Sequence, residues 1–198
     1  MTLKILMFCI PAIFLMSGCA GPSTKMVDTW SASDFQKEKW QKVLIVAIAK
    51  TTEGKSAFEN KLKEKIEKKN VTVVASTDVL PPDEKISKET FYKYFQNQNF
   101  DAVIVSRLSS IQDLPGTVKP GKLPDFYEFF DQKYDEISVD FSDKNLIIGV
   151  ETRVYDTKEL EMIWSGLSKT FEPGKPKKLM NDLTQSIFTA LEKEGFFN

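Results

Sequence analysis

The chain of 198 residues contains no histidine. That absence removes the commonest general base and metal ligand near neutral pH, and with it an ordinary Ser–His–Asp triad. Cysteine is almost as scarce: Cys9 and Cys19 are the two, both close to the N-terminus. Arginine occurs only as Arg107 and Arg153. Neither sign of charge dominates, with 27 Lys plus Arg against 28 Asp plus Glu and a net charge of −1. A nucleic-acid surface is usually basic, so this balance speaks against one. A hydrophobic content of 41% speaks against disorder. No Gly-x-Ser-x-Gly elbow occurs, and the acidic stretches lack the calcium-loop spacing.

What is present begins with an export signal. Lys4 supplies a short positive region, Ile5 to Met16 is apolar apart from Pro11, and Ser17-Gly18 precede Cys19. The apolar run is shorter than the roughly 20 residues a membrane-spanning helix needs. Leu15-Met16-Ser17-Gly18-Cys19 resembles a bacterial lipobox, with Met16 where leucine is usual. The resemblance implies cleavage before Cys19, diacylglycerol on its thiol and an acyl group such as palmitate on the new amine. Ala20, in place of aspartate, implies an outer-membrane anchor facing the periplasm, the inner membrane being the alternative. Cys9 then leaves with the signal, so the domain keeps no free thiol for catalysis, disulfides or metal. The division expected is residues 1–18 as signal peptide, 19–39 as lipidated cysteine and tether, and 40–198 as a single domain. About twenty extended residues reach at most roughly 70 Å.

Within the domain, Val43 to Ile48 is a continuous apolar run that reads as a buried strand. Phe58, Leu62 and Ile66 recur among Lys and Glu, predicting an amphipathic helix over residues 55–69. Val71 to Val74 reads as a second strand. Ser87 as N-cap with Phe91, Tyr94 and Phe95 predicts a helix to about residue 98. Ala102 to Val105 opens a third strand, extended to Ile111. Asn145–Tyr155 and Met162–Phe171 read as a hairpin, and Pro176 opens a last helix whose Leu179, Leu183, Ile187 and Leu191 share a face, with Gly195 as its stop. The expectation is an α/β fold, β-α-β-α-β followed by a C-terminal β-hairpin and helix, in two or three layers around a mixed sheet of about five strands.

Candidate chemistry is sparse. Ala49-Lys50-Thr51-Thr52-Glu53-Gly54-Lys55-Ser56 matches a relaxed phosphate-loop pattern between a strand and a helix. It lacks the first glycine, and no apolar strand ends in an aspartate placed to hold magnesium. Asp125, Glu128, Asp131, Asp135, Glu136 and Asp140 cluster; glycosidase carboxylates and a calcium site are readings of such a group, a solvated acidic surface the plainer one. The mixed charges of residues 55–69, Glu59 among them, read as a solvated face. Arg107 and Arg153 in strands read as partners of nearby acids. Phe126, Tyr127, Phe129, Phe130 and Tyr134 follow a Pro/Gly-rich stretch and are the candidate partner-binding residues, with completion of the core as the alternative.

Lys42-Val43-Leu44-Ile45-Val46-Ala47, Phe100-Asp101-Ala102-Val103-Ile104-Val105, Val154-Tyr155-Asp156 and Ile163-Trp164-Ser165-Gly166, behind the lipobox, resemble bacterial envelope lipoproteins whose domain is of the TolB amino-terminal and curli-secretion-lipoprotein type. The resemblance covers residues 40–195 and implies an assembly, scaffolding or regulatory role. The expectation is a non-catalytic, periplasm-facing lipoprotein that binds another envelope protein, with the membrane reached through the lipid, no cofactor, no metal and no nucleic acid. The alternatives are a subunit of a secretion assembly, or a periplasmic hydrolase or nucleotide-binding enzyme.

Overall fold

The computed structural model describes residues 23–33, 39–81, 84, 86–109, 147–171 and 175–197. Among these residues six strands form one sheet: β1 (Thr24–Ser31), β2 (Lys42–Ile48), β3 (Thr72–Ala75), β4 (Ala102–Ser109), β5 (Ile147–Asp156) and β6 (Met162–Phe171). Their order is β1-β6-β5-β4-β2-β3. β2 runs parallel to β3 and β4, while β4–β5, β5–β6 and β6–β1 are antiparallel. Among the described residues the α-helices are α1 (Thr52–Ile66), α2 (Lys88–Phe95) and α3 (Pro176–Lys193). The α/β architecture with a mixed sheet follows the sequence expectation.

The alternation within β2 explains the layering, because successive side chains point to opposite faces. Val43, Ile45 and Ala47 join Phe58, Leu62 and Ile66 of α1 and Leu179, Leu183, Ile187 and Leu191 of α3 in one core. Leu44 and Val46 join Phe91 and Phe95 of α2, with Phe100, Val103, Val105 and Tyr155, in the other. Local signals set the helix ends. Thr51 caps α1 by accepting the Gly54 N–H at 3.1 Å, and Ser87 and Thr90 form a reciprocal capping box on α2. Asn70 and Gly195, at φ 61° and 88°, turn the chain out of the α1 and α3 ends.

Thr24–Ser31, assigned to the tether, is an edge strand paired along β6. Its sequence, TKMVDTWS, has no apolar run, and only Thr24 is fully buried. The pairing comes from backbone bonds to a strand far along the chain, which no local pattern announces. Among the described residues the sheet therefore has six strands, and the chain between Cys19 and the sheet is far shorter than a twenty-residue tether. Gly166 has a packing role: a Cβ there would collide with the Trp164 indole, which lies across it. Trp164 is fully buried, and its Nε1–H has no hydrogen-bond partner among the described residues.

The two ends of the sheet are built differently. At one end lie Ser23, Phe171 and the start of α3, with Phe171 N–H donating to Ser23 O at 3.1 Å. At the other end, Trp40 is buried where β2 begins and stacks on Phe196 with ring centroids 4.3 Å apart. Strands of this length separate the two ends by about 30 Å.

Candidate functional site

The end of the sheet remote from Ser23 carries a cavity of about 750 Å³. Its wall is built from the end of α2 and its C-cap (Phe91, Tyr92, Phe95, Gln96), the entry to β4 (Asn99, Phe100, Asp101) and the β5–β6 connection (Asp156 to Lys158 and Leu160 to Ile163), closed by Ala32, Lys39 and Trp40. The helical spacing of Phe91 and Phe95 turns both into the core, leaving the adjacent Tyr92 44% exposed at the rim. Aromatic rings there offer apolar contact, and the amides and carboxylates beside them offer polar contacts.

Two of the carboxylates in that wall are already committed. Asp101 Oδ2 accepts the backbone N–H groups of Gln41 and Lys42 at 2.6 and 2.8 Å. Asp156 Oδ1 accepts those of Glu159 and Glu161 at 3.2 Å each, holding the β5–β6 turn. Lys42 Nζ donates to Gln98 O at 2.8 Å and lies 4.7 Å from the Phe100 ring centroid. Thr157 Oγ1 donates to Phe100 O and ties the turn to the entry of β4.

A polar cluster occupies the middle of the sheet. Arg107 and Glu151 face each other across β4 and β5, and Arg153 is two residues on along β5. Arg107 Nε and Nη2 donate to Glu151 Oε2 at 3.0 and 2.8 Å. Arg153 Nε and Nη2 both lie 2.6 Å from Oε1. The sequence expectation of acid partners for both arginines is met by this single carboxylate. Burial raises the Tyr155 hydroxyl above its ordinary pKa, against the pull of neighbouring Arg153.

Glu59 departs from the solvated face expected of it, being fully buried at the C-terminal ends of β2 and β3. Ala47 N–H and Ser76 Oγ–H donate to Oε1 at 2.7 and 2.6 Å. Thr77 N–H and Oγ1–H donate to Oε2 at 2.9 and 2.8 Å. Burial raises its carboxyl above the ordinary value, and the four donors oppose but do not cancel that effect. Lys63 of α1 and Asp78, in the turn after β3, lie 2.9 Å apart nearby. The signal was in the sequence: Glu59 shares the spacing of Leu62 and Ile66, so it lies on their face.

The phosphate-loop look-alike forms an ordinary helix start. Gly54 N–H is taken by the Thr51 side chain and Lys55 N–H by Thr51 O at 3.0 Å, so these donors do not converge on an open cradle. Cys19 and the aromatic candidates Phe126, Tyr127, Phe129, Phe130 and Tyr134 lie outside the described residues, as does the acidic cluster of residues 125–140. Among the described residues, no helix is long and apolar enough to cross a membrane.

No protein-family model matches the chain, and no curated protein matches its sequence. Among solved structures, a PelC dodecamer from Paraburkholderia phytofirmans in space group P6 is similar at 9% identity, with a TM-score of 0.46 over 85% of this chain and 94% of that one. A methionine variant of the same PelC dodecamer in space group C2 is similar at 11% identity, with a TM-score of 0.42 over 83% and 93%.

Proposed function

We propose that this chain is a lipid-anchored envelope protein, acylated on Cys19 and facing the periplasm, that binds a partner and carries out no chemistry of its own. The observation that carries this reading is the placement of the cavity. It opens at the end of the sheet opposite Ser23, the first described residue after the lipobox. A partner reaches Tyr92 from the aqueous side while the lipid holds the other end. An apolar group of the partner enters beside Phe91, Tyr92 and Phe100, and Gln96, Asn99 and Glu161 supply polar contacts around it. The commitment of Asp101 and Asp156 to backbone N–H groups favours binding over acid–base work.

The test has two parts. Mass spectrometry of the membrane-extracted protein reads the acyl groups on Cys19. A photo-crosslinking residue at Tyr92, in cells that keep Cys19, reads the cavity. A discrete crosslinked species that Gln96→Lys abolishes and Asn60→Lys, on the exposed side of α1, leaves intact supports partner binding here. A folded, membrane-bound protein that gives no such species overturns it. The same residue at Phe126, Phe129 or Phe130 asks whether that segment docks the partner instead.

A further inference from the structure

The lipoprotein reading places Cys19 four residues before Ser23. Four residues span at most about 14 Å even when fully extended. Ser23 itself is pinned: its N–H and hydroxyl donate to Asp182 Oδ2 of α3 at 3.3 and 3.0 Å, and Lys178 Nζ donates to the same oxygen at 2.6 Å. An acyl chain on Cys19 therefore brings one particular corner of the domain to the membrane, and holds it there through a short link to a fixed strand.

The corner has three features that match such a surface. Phe171, hydrogen-bonded to Ser23 through its backbone, is 47% exposed. Lys25 and Lys169 sit directly opposite each other across β1 and β6, a like-charge pairing that costs stability when nothing anionic lies nearby. Lys175 and Lys177 are exposed at the start of α3, and the first turn of that helix holds no acid. Cations at a helix N-terminus oppose the positive end of its dipole. Both unfavourable placements occur at the same corner, and Asp182 there is already held by Lys178 and Ser23.

We infer that this corner rests on the anionic phospholipid surface of the membrane that holds the lipid, with Phe171 at the headgroup boundary and Lys25, Lys169, Lys175 and Lys177 against the phosphates. The inference deepens the proposed function and rests on acylation of Cys19. It fixes the orientation: the sheet stands away from the membrane, and the cavity beside Tyr92 is carried about 30 Å out from it. Anionic headgroups offset both the Lys25–Lys169 repulsion and the cationic start of α3, and basic residues near such a surface each strengthen attachment.

The acylated full chain, reconstituted in phosphatidylethanolamine vesicles containing phosphatidylglycerol, tests this. An environment-sensitive fluorophore is placed on Phe171→Cys, Lys177→Cys or, at the far end, Glu161→Cys, with headgroup spin-labelled lipid as quencher. Quenching is expected at the first two positions and not at the third. Phosphatidylcholine vesicles, or Lys175→Glu with Lys177→Glu, are expected to lower quenching at Phe171→Cys by about two-fold or more. Both lysines are exposed, so the variant retains its core. Quenching at Glu161→Cys equal to that at Phe171→Cys overturns the inference, as does quenching indifferent to lipid charge. A label at Phe171→Cys already buried in detergent, in a particle larger than a monomer, overturns it in favour of a contact between copies. A chain without acyl groups on Cys19 overturns the lipoprotein reading, and the orientation with it.

Discussion

The two ends of the sheet are secured by different chemistry. At the Ser23 end the ties are polar: Glu59 with its four donors, Asp182 with Ser23 and Lys178, and Lys63 with Asp78. At the cavity end they are largely aromatic: Trp40 stacks on Phe196 and meets Phe197 edge-on at 5.7 Å, while Phe95 packs against Phe100 at 6.3 Å. Carboxylate ties respond to pH, whereas stacked rings do not. The end proposed to meet the membrane therefore leans on carboxylate ties, and the end proposed to meet a partner on stacked rings, beside the Asp101 and Asp156 ties to backbone N–H groups.

Substitutions can break this contrast, and their expected effects fall in order. Trp40→Ala empties the aromatic end and is expected to cost about 3–5 kcal/mol, by chemical denaturation, with little dependence on pH. Glu59→Gln sets an amide N–H₂ against donors that now meet a carboxylate oxygen, and is expected to cost about 1–3 kcal/mol at neutral pH. Its effect also depends on pH. Because the folded pKa of Glu59 is raised, the native state binds more protons than the unfolded one across the interval between them. Stability from this group is greatest below its unfolded pKa, falls as pH rises through the folded pKa, and is level above that. The wild type should show this decline in denaturation midpoint, and Glu59→Gln should not.

Asp182 behaves with the opposite sign. Partial burial pushes its carboxyl up, but Lys178 and the two Ser23 donors together outweigh that and hold it below its usual value. Its contribution is present above the unfolded pKa and lost as pH falls through the folded one. Asp182→Asn is expected to cost about 0.5–1 kcal/mol at neutral pH, with the difference from wild type disappearing in strong acid. Smallest of all, Tyr92→Ala is expected to change stability by no more than about 0.5 kcal/mol while abolishing partner capture, since its ring lies at the cavity rim. A large loss of stability in Tyr92→Ala would make that ring part of the core and remove it from the binding surface.

Much of the fold was legible because the signals were local. The apolar run of β2, the four-residue spacing of Phe58, Leu62 and Ile66, the Ser87 cap and the Pro176 start each place an element without reference to the rest. The arginine pairing was legible in kind, since a guanidinium in a buried strand needs an acid, but Glu151 as the partner of both was not. β1 was missed because its partner strand is distant in sequence. Glu59 was read as solvated because its neighbours are charged, although its register places it on the buried face. The cavity wall draws on α2, the entry to β4 and the β5–β6 turn, which no single motif joins.

Local pattern was enough for the elements from β2 onward, their order and the lack of imidazole, because hydrophobic period and composition are properties of neighbouring residues. Long-range contacts were needed to make Thr24 the start of an edge strand rather than a tether, to bury a glutamate of a charged helix under four donors, and to set the cavity at the far end from Ser23. Each of these depends on which distant segments meet, and that is settled by hydrogen-bond pairing and packing across the whole chain.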